Sequence, residues 1–461
     1  MTQTIPSLVI GGGISGLACA FALRKAGVDA QVLEASTRPG GVIRSERRND
    51  FLLEFGPQSF SGTPEILALC LELGIAGDLV EAPQDAPRFV LINGTLRRVP
   101  LNPPAFIASP IFDLATKWSL ARDIFGNTAP PQKDESIANF VRRKFSAQLL
   151  DRLVGPFISG IYAGDPERLS LRSAFPQLHE AELSTGSIIR GLRAAKSRSA
   201  NQQRPSLLSF RDGNETLIRA LSANLGSALR TNTEVLSVEQ DADAAVPTFK
   251  VTLRTASGNS VIHANRIVLA TPPNVTGRLL SSLQPAFDSL LGAIEFASLA
   301  VVSLGYPRSS IGHNLQGFGF LAPRSAGLRI LGSVWNSSLF PNRAPKNHVL
   351  LTNFIGGATD PAAASLSADE LTTIAHGELS PLLSIQQTPI FSNVEIYPRA
   401  LPQYNLGHSA RLDTLEKLRL RSPNLWLTGN YLRGPSAGAC IEHAQSVADA
   451  IIRSTLQPSR Y

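Results

Sequence analysis

The stretch VIGGGISG, Val9 to Gly16, limits the possible folds more than any other, because of what stands on either side of it. Residues 5 to 35 read as strand, turn, helix and strand. IPSLVI has the composition of a fully buried strand, and ISGLACAFALRKAG is helical up to a stop at Gly27. AQVLEAS is a second buried strand ending on Glu34. Gly11, Gly13 and Gly16 form G-x-G-x-x-G: the first allows the tight turn, the second lets a pyrophosphate approach the backbone, and the third lets the helix close on the sheet. The helix N-terminus then faces the phosphates, and Glu34 falls where a carboxylate can accept hydrogen bonds from ribose hydroxyls. Three glycines alone would mark an ordinary turn. In this setting they predict a dinucleotide held by Gly11, Gly12, Gly13, Ile14, Ser15, Gly16, Glu34 and Ala35.

The 461 residues, 43% of them hydrophobic, are enough for more than one domain. Charged residues make up 17%, too few for a disordered chain. The net charge of +7 is spread without a long basic run, which fits a solvated surface, an anionic substrate or a membrane face. No basic helix or zinc-ligand spacing accompanies it, so nucleic acid is not expected. Cys19, Cys70 and Cys440 form no CxxC and suit a reducing cytoplasm, and the seven histidines form no HExxH, so no metal is expected. The first strand follows the N-terminus directly, leaving no room for a signal peptide, and no apolar run approaches the roughly 20 residues that span a bilayer. The expectation is a soluble protein, or one lying on a membrane face without crossing it.

Which dinucleotide is bound is indicated by RPGGVIRS, Arg38 to Ser45, and by LLEFGPQSF after it. These segments resemble the RxGG extension and flavin-side segment of FAD-containing amine oxidases and their relatives. The resemblance implies non-covalent FAD contacted by Arg38, Gly40, Gly41, Val42, Gly56, Pro57, Gln58 and Ser59, with Val235 on the adenine side. Near the C-terminus, NLWLTGNYLRGPSAGACIEHAQSVADAI reads as strand, glycine turn and helix. Gly429, Asn430, Pro435, Ser436 and Ala437 would there bring a second helix N-terminus to a phosphate or to the flavin's carbonyl edge.

A narrower resemblance runs through the middle of the chain. GPFISGIYAGDPERLSLRSAFPQLHEAE, GFGFLAP, LGSVWNSSLFPNRAP and LPQYNLGHSARL are similar, in the same order, to stretches of protoporphyrinogen oxidases. This implies an oxygen-dependent FAD enzyme of haem synthesis that removes hydrides from a porphyrinogen and yields hydrogen peroxide. The substrate is an apolar disc rimmed by propionates, so it needs a flat slot and a cation. The resemblance puts the slot at Leu321, Val334 and Phe354, the cation at Arg88, and close backbone approach at Gly160 and Gly164. By residue type alone, the apolar three read as strand core, Arg88 as a surface arginine and the glycines as a turn. No catalytic acid or base stands out, consistent with a cofactor that performs the chemical step.

The choice between protoporphyrinogen IX and coproporphyrinogen III rests on the supply of cations, for which Arg324, Arg329 and Arg343 are candidates; the segments most resemble the enzymes acting on protoporphyrinogen. A flavin amine oxidase is disfavoured because no lysine occurs between Lys250 and Lys346. Carotenoid-type desaturases lack the SGIYAGDPERLS type of stretch, and a flavoprotein that only binds porphyrin is a non-catalytic alternative.

The expected fold is mixed α/β. A discontinuous Rossmann-like FAD-binding domain comprises residues 1–87, 205–284 and 406–461, and a mixed-sheet substrate domain comprises 285–405. A helical insert spans 88–204, with 95–204 mostly helical. Its PPAFIASPIFDLATKWSLARDIF segment has an apolar face near Lys117, Trp118 and Arg122, which fits either a membrane surface, as the resemblance implies, or internal packing. Oligomeric state is not legible in the sequence, and a homodimer is the assembly to test.

Overall fold

All four residues of the strand Ser7–Ile10 are buried, because the strand lies at the middle of a parallel sheet covered on both faces. In this computed structural model, which describes residues 4–126, 130–198, 206–241 and 248–456, the five strands run Leu229–Arg230, Ala30–Leu33, Ser7–Ile10, Ile267–Leu269, Leu425–Leu427 across the sheet. Every neighbouring pair is parallel. On one face the helices Ile14–Lys25 and Ala437–Leu456 pack through Leu17, Ala20, Leu23, Ile441, Ala444 and Ala448. On the other, Leu8, Ile10 and Leu269 meet Phe249, Val251 and Leu253 of the antiparallel strands Glu234–Asp241, Thr248–Thr255 and Gly258–Ala264.

A second, mixed sheet runs Phe391–Pro402, Phe296–Pro307, His348–Gly356, Ile330–Val334, Gly319–Leu321, Arg88–Ile92, Thr95–Arg98. The Gly319–Leu321 and Arg88–Ile92 pair is parallel, and the other pairs are antiparallel. Side chains alternate between its faces. Ala300, Val302, Leu304 and Tyr306 point to the helix Ala368–Leu383, which covers them with Leu371, Ala375, Leu379 and Leu383. Leu299 and Val301 point the other way, into a smaller cluster with Phe354, Tyr397 and Leu401.

The helical run begins at Pro103 and not at residue 95. Residues 88–98 form the last two strands at one end of the mixed sheet, where RFVLINGTLRR turns at Asn93-Gly94, both at positive φ. PPAFIASPIFDLATKWSLARDIF is two helices, Pro103–Ala108 and Leu114–Phe125, broken around Ser109-Pro110. They pack with Ile137–Lys144, Gly155–Tyr162 and Pro176–Thr185 around Ile111, Phe112, Phe140, Val141, Ile158 and Tyr162. A buried ionic knot ties these helices together: Lys144 Nζ lies 2.9 Å from Glu182 and 3.6 Å from Asp123, and Arg143 also reaches Glu182. Most of the polar stretch KSRSANQQRPS lies outside the described residues. Among the described residues, no helix is long and apolar enough to cross a membrane, and no cluster of metal-ligating side chains forms.

Candidate active site

The strands of the parallel sheet leave it at a single edge, so Gly11, Glu34, Thr271 and Gly429 emerge side by side. A crevice outside the carboxyl ends of such strands is where open α/β sheets take ligands. Gly11 holds φ +106° with its N–H on Leu33 C=O, and a Cβ there would lie 2.9 Å from Ala270 O. A Cβ on Gly16 would come within 1.9 Å of Gly11 O, so the helix can begin this close to the turn only because residue 16 lacks one. Glu34 Oε2 accepts from Gly12 N–H at 2.7 Å while Oε1 accepts from Ser36, which places the carboxylate at the lip of the loop with Ala35 exposed beside it. Val235 is buried two residues beyond Thr233, whose N–H donates to Glu34 C=O.

Gly13, the N-cap of the helix Ile14–Lys25, has no atom within 4 Å of where its Cβ would be, and the helix starts with no side-chain cap and no acid in its first turn. The second helix N-terminus lies alongside. Cys440 reaches the Ser15 hydroxyl, a Cβ on Gly438 would lie 3.5 Å from Thr63, and Ser436 Oγ accepts from Ala439 N–H. An uncapped helix N-terminus above a glycine cradle, with a second helix N-terminus beside it, fits the pyrophosphate of a dinucleotide. Beside this cradle the Arg38 guanidinium donates to the carbonyls of Pro39, Gly41 and Ile43 and so folds the second glycine pair into shape. That pair is joined to the first loop by Gly40 N–H on Gly12 C=O, with Val42 more than half exposed.

The segment Gly56–Ser59 runs between this cradle and the mixed sheet. A Cβ on Gly56 would lie 2.5 Å from Val42 O. Pro57 C=O accepts from Asn214 Nδ2, Gln58 Oε1 accepts from Asn336 Nδ2 at 2.7 Å, and Tyr397 Oη donates to Phe55 C=O. Behind it, Glu54 accepts from Ser45 Oγ and Asn214 N–H and lies 3.4 Å from Arg343 Nη1. Burial pushes the Glu54 carboxyl up to about 7 against the pull of Arg343, Ser45 and Asn214.

Strand register brings four of the sequence candidates to one face of the mixed sheet. Arg88, Gly319, Val334 and Thr352 form one cross-strand row, and Val90, Leu321, Gly332, Phe354, Val301 and Glu395 form the next. Directly paired residues share a face, so Arg88, Leu321, Val334 and Phe354 line one surface. Gly160 joins them from the helix Gly155–Tyr162; a Cβ there would lie 2.6 Å from Leu321 Cδ2. Gly319 and Gly332, which sequence reasoning missed, add no side chain of their own to this face and keep its floor flat, with Leu321 Cδ2 leaning to 3.0 Å from where a Gly332 Cβ would be. Each is a glycine inside a strand, the available signal for close backbone approach. Arg88 is exposed, stacked 5.4 Å from the centre of the Phe318 ring, and forms no ion pair among the described residues.

The other arginines are committed elsewhere. Arg343 is fully buried on Glu54, Ser209 and Phe210 C=O, so its guanidinium is already taken within the chain, which corrects its candidacy for substrate carboxylates. Arg329 holds Asp360 through two 2.9 Å bonds, and Arg324 donates to Gly356 C=O. Lys346 is exposed just before the strand His348–Gly356, at the end remote from Phe354.

Residues 14–452 match the family described as flavin containing amine oxidoreductase. Protoporphyrinogen oxidase 1 of Arabidopsis thaliana chloroplasts is 35% identical over 97% of this chain and 88% of its own. Coproporphyrinogen III oxidase of Bacillus subtilis is 28% identical over 96% and 97%. Among solved structures, cyclohexylamine oxidase of Brevibacterium oxydans superposes with a TM-score of 0.71 at 18% identity, covering 99% of this chain and all of that one. A protein of Exiguobacterium sp. superposes with a TM-score of 0.81 at 24% identity over 98% and 100%.

Proposed function

The chain belongs to the flavin containing amine oxidoreductase family, and from that membership we propose that it oxidises protoporphyrinogen IX to protoporphyrin IX, using non-covalent FAD and dioxygen and releasing hydrogen peroxide. When bound, the flavin supplies the hydride acceptor. The chain's own contribution is to hold and orient, since no side chain on the flat face is a buried acid or base.

The observation that carries the reading is the flat face itself. Its glycine-floored centre between Leu321, Val334 and Phe354 suits an apolar disc, and Arg88 at its edge suits a rim carboxylate, which guanidinium can bind through two hydrogen bonds. Tyr397 and Gln58 tie this face to the Gly56–Ser59 segment, which would bring the disc against the flavin ring. The cation supply favours two propionates over four, because Arg324, Arg329 and Arg343 are already bonded within the chain. An amine substrate is disfavoured by Arg88 and by the remoteness of Lys346. All three cysteines are free and buried, and burial pushes their thiols above the ordinary range, which supports a flavin held without a thioether.

The same reading takes the protein to a membrane face from the cytoplasmic side. Leu114, Trp118 and Phe125 are each at least 73% exposed and lie on one stripe of their helix, with Ile107 exposed nearby and Arg122 exposed on the same helix. The deciding experiment uses the purified protein under nitrogen. Protoporphyrinogen should bleach a yellow protein, and air should restore the colour with release of peroxide. Coproporphyrinogen should turn over at least tenfold less efficiently, about 1.4 kcal/mol of transition-state discrimination. A protein that carries no flavin, or one that prefers coproporphyrinogen by that margin, refutes the proposal.

A further inference from the structure

We propose that Tyr404 and His408 are positioning residues for the bound flavin, acting together as a clamp on two consecutive carbonyls of the loop that leads into the C-terminal helix. This rests on the reading that the loop holds a flavin. Both residues lie in LPQYNLGH, a stretch for which the functional reading above has no role.

Both side chains are almost wholly buried, at 2% and 1% exposure, and their rings are stacked with centroids 4.6 Å apart and planes 6° from parallel. Tyr404 Oη donates to Asn430 C=O, and His408 Nε2 lies 2.9 Å from Tyr431 C=O. A carbonyl only accepts, so Nε2 carries the proton and Nδ1 is the bare nitrogen. Nδ1 is buried without a hydrogen-bond partner among the described residues, and burial pulls the His408 ring down to about 4, so it is neutral at physiological pH. A neutral imidazole in this tautomer has one donor, and that donor is on the loop.

The loop needs such support. Gly429 and Gly434 sit at φ +150° and +149°, a conformation costly for other residues, and between them the internal backbone bond is a long one, from Leu432 N–H to Gly429 C=O at 3.3 Å. The peptide is planar, so fixing the carbonyls of Asn430 and Tyr431 fixes two successive peptide planes on the approach to the helix Ala437–Leu456. A loop already held in its binding shape loses less freedom when a ligand arrives. Tyr404 also packs edge-on to Tyr162, at 5.8 Å, and Tyr162 closes the helix that carries Gly160 against Leu321. The stacked pair therefore touches the wall of the flat face as well as the loop.

The test uses apoprotein and FAD. Tyr404→Phe keeps the stack and removes one donor, His408→Leu removes the other, and His408→Gln offers an amide N–H near the position of Nε2. The flavin dissociation constant is read by fluorescence quenching, and the melting temperature of each apoprotein is read without flavin. Tyr404→Phe and His408→Leu should each weaken flavin binding at least tenfold, His408→Gln should stay within threefold of the parent, and the apoprotein melting temperatures should differ little. If His408→Leu does not fold, Tyr404→Phe decides alone. Unchanged flavin affinity in Tyr404→Phe, or lowered melting temperatures with unchanged affinity, would assign the pair to core packing and overturn the clamp. A parent apoprotein that takes up no FAD would overturn the functional reading, and the clamp with it.

Discussion

At the scale of single residues, the clearest assignment is Arg88, because it is exposed and forms no ion pair among the described residues, beside a row of apolar side chains and glycines. A charge-assisted hydrogen bond is worth roughly 1.5–3 kcal/mol, so Arg88→Ala should raise the KM for a porphyrinogen about 10- to 100-fold and leave kcat within a few-fold. Steady-state kinetics on the parent and the variant checks this, and an unchanged KM removes the carboxylate role. Arg88 was nameable only through a family resemblance, since an arginine at the start of a strand carries no distinguishing signal. Arg343 shows the converse. In sequence it looks like any other arginine near the slot segments, yet it is fully buried, because Glu54 and Ser209, far away in the chain, arrive beside it only on folding.

At the scale of elements, the glycine-turn-helix unit was legible because every interaction that defines it is local or lies one strand away. Gly16 is the sharpest case. Gly16→Ala would put a Cβ 1.9 Å from a backbone oxygen that cannot rotate aside, so the turn must open. The expected outcome is a protein that folds with weakened stability and purifies without visible flavin absorbance. A yellow Gly16→Ala protein would show that the cradle tolerates the shift. The hairpin strands Arg88–Ile92 and Thr95–Arg98 do not stand out from the helical insert in sequence, because the strand that joins them to the sheet, Gly319–Leu321, lies more than two hundred residues away. Gly319 and Gly332 escaped notice for the same reason: each sits between its neighbours only once three strands are in register.

At the scale of the molecule, the seam between the nucleotide crevice and the flat face is fastened by Glu54 with Arg343 and by Gln58 with Asn336. Breaking a buried ion pair from one side strands a charge, so Arg343→Met should cost about 3–5 kcal/mol, and adding Glu54→Leu should recover part of it. Urea unfolding of the single and double variants measures both. Equal stability of the two would mean that the pair is not coupled. The outer stripe of the helix Leu114–Phe125 gives a second whole-molecule expectation. The parent should co-sediment with anionic vesicles, and a Leu114→Ser, Trp118→Ser, Phe125→Ser variant should not. A parent that stays in the supernatant refutes the membrane contact.

The parallel sheet that frames the crevice has a temporal consequence. Its first two strands are complete by Leu33, but the edge strand Leu425–Leu427 and the helix behind it come about 390 residues later. At a synthesis rate of about 5–20 residues per second, the ribosome needs roughly 20 to 80 s to deliver them. During that interval the nascent chain shows an unfinished hydrophobic edge to the cell. The crevice can therefore be completed only after Leu427 and the helix that follows it have emerged.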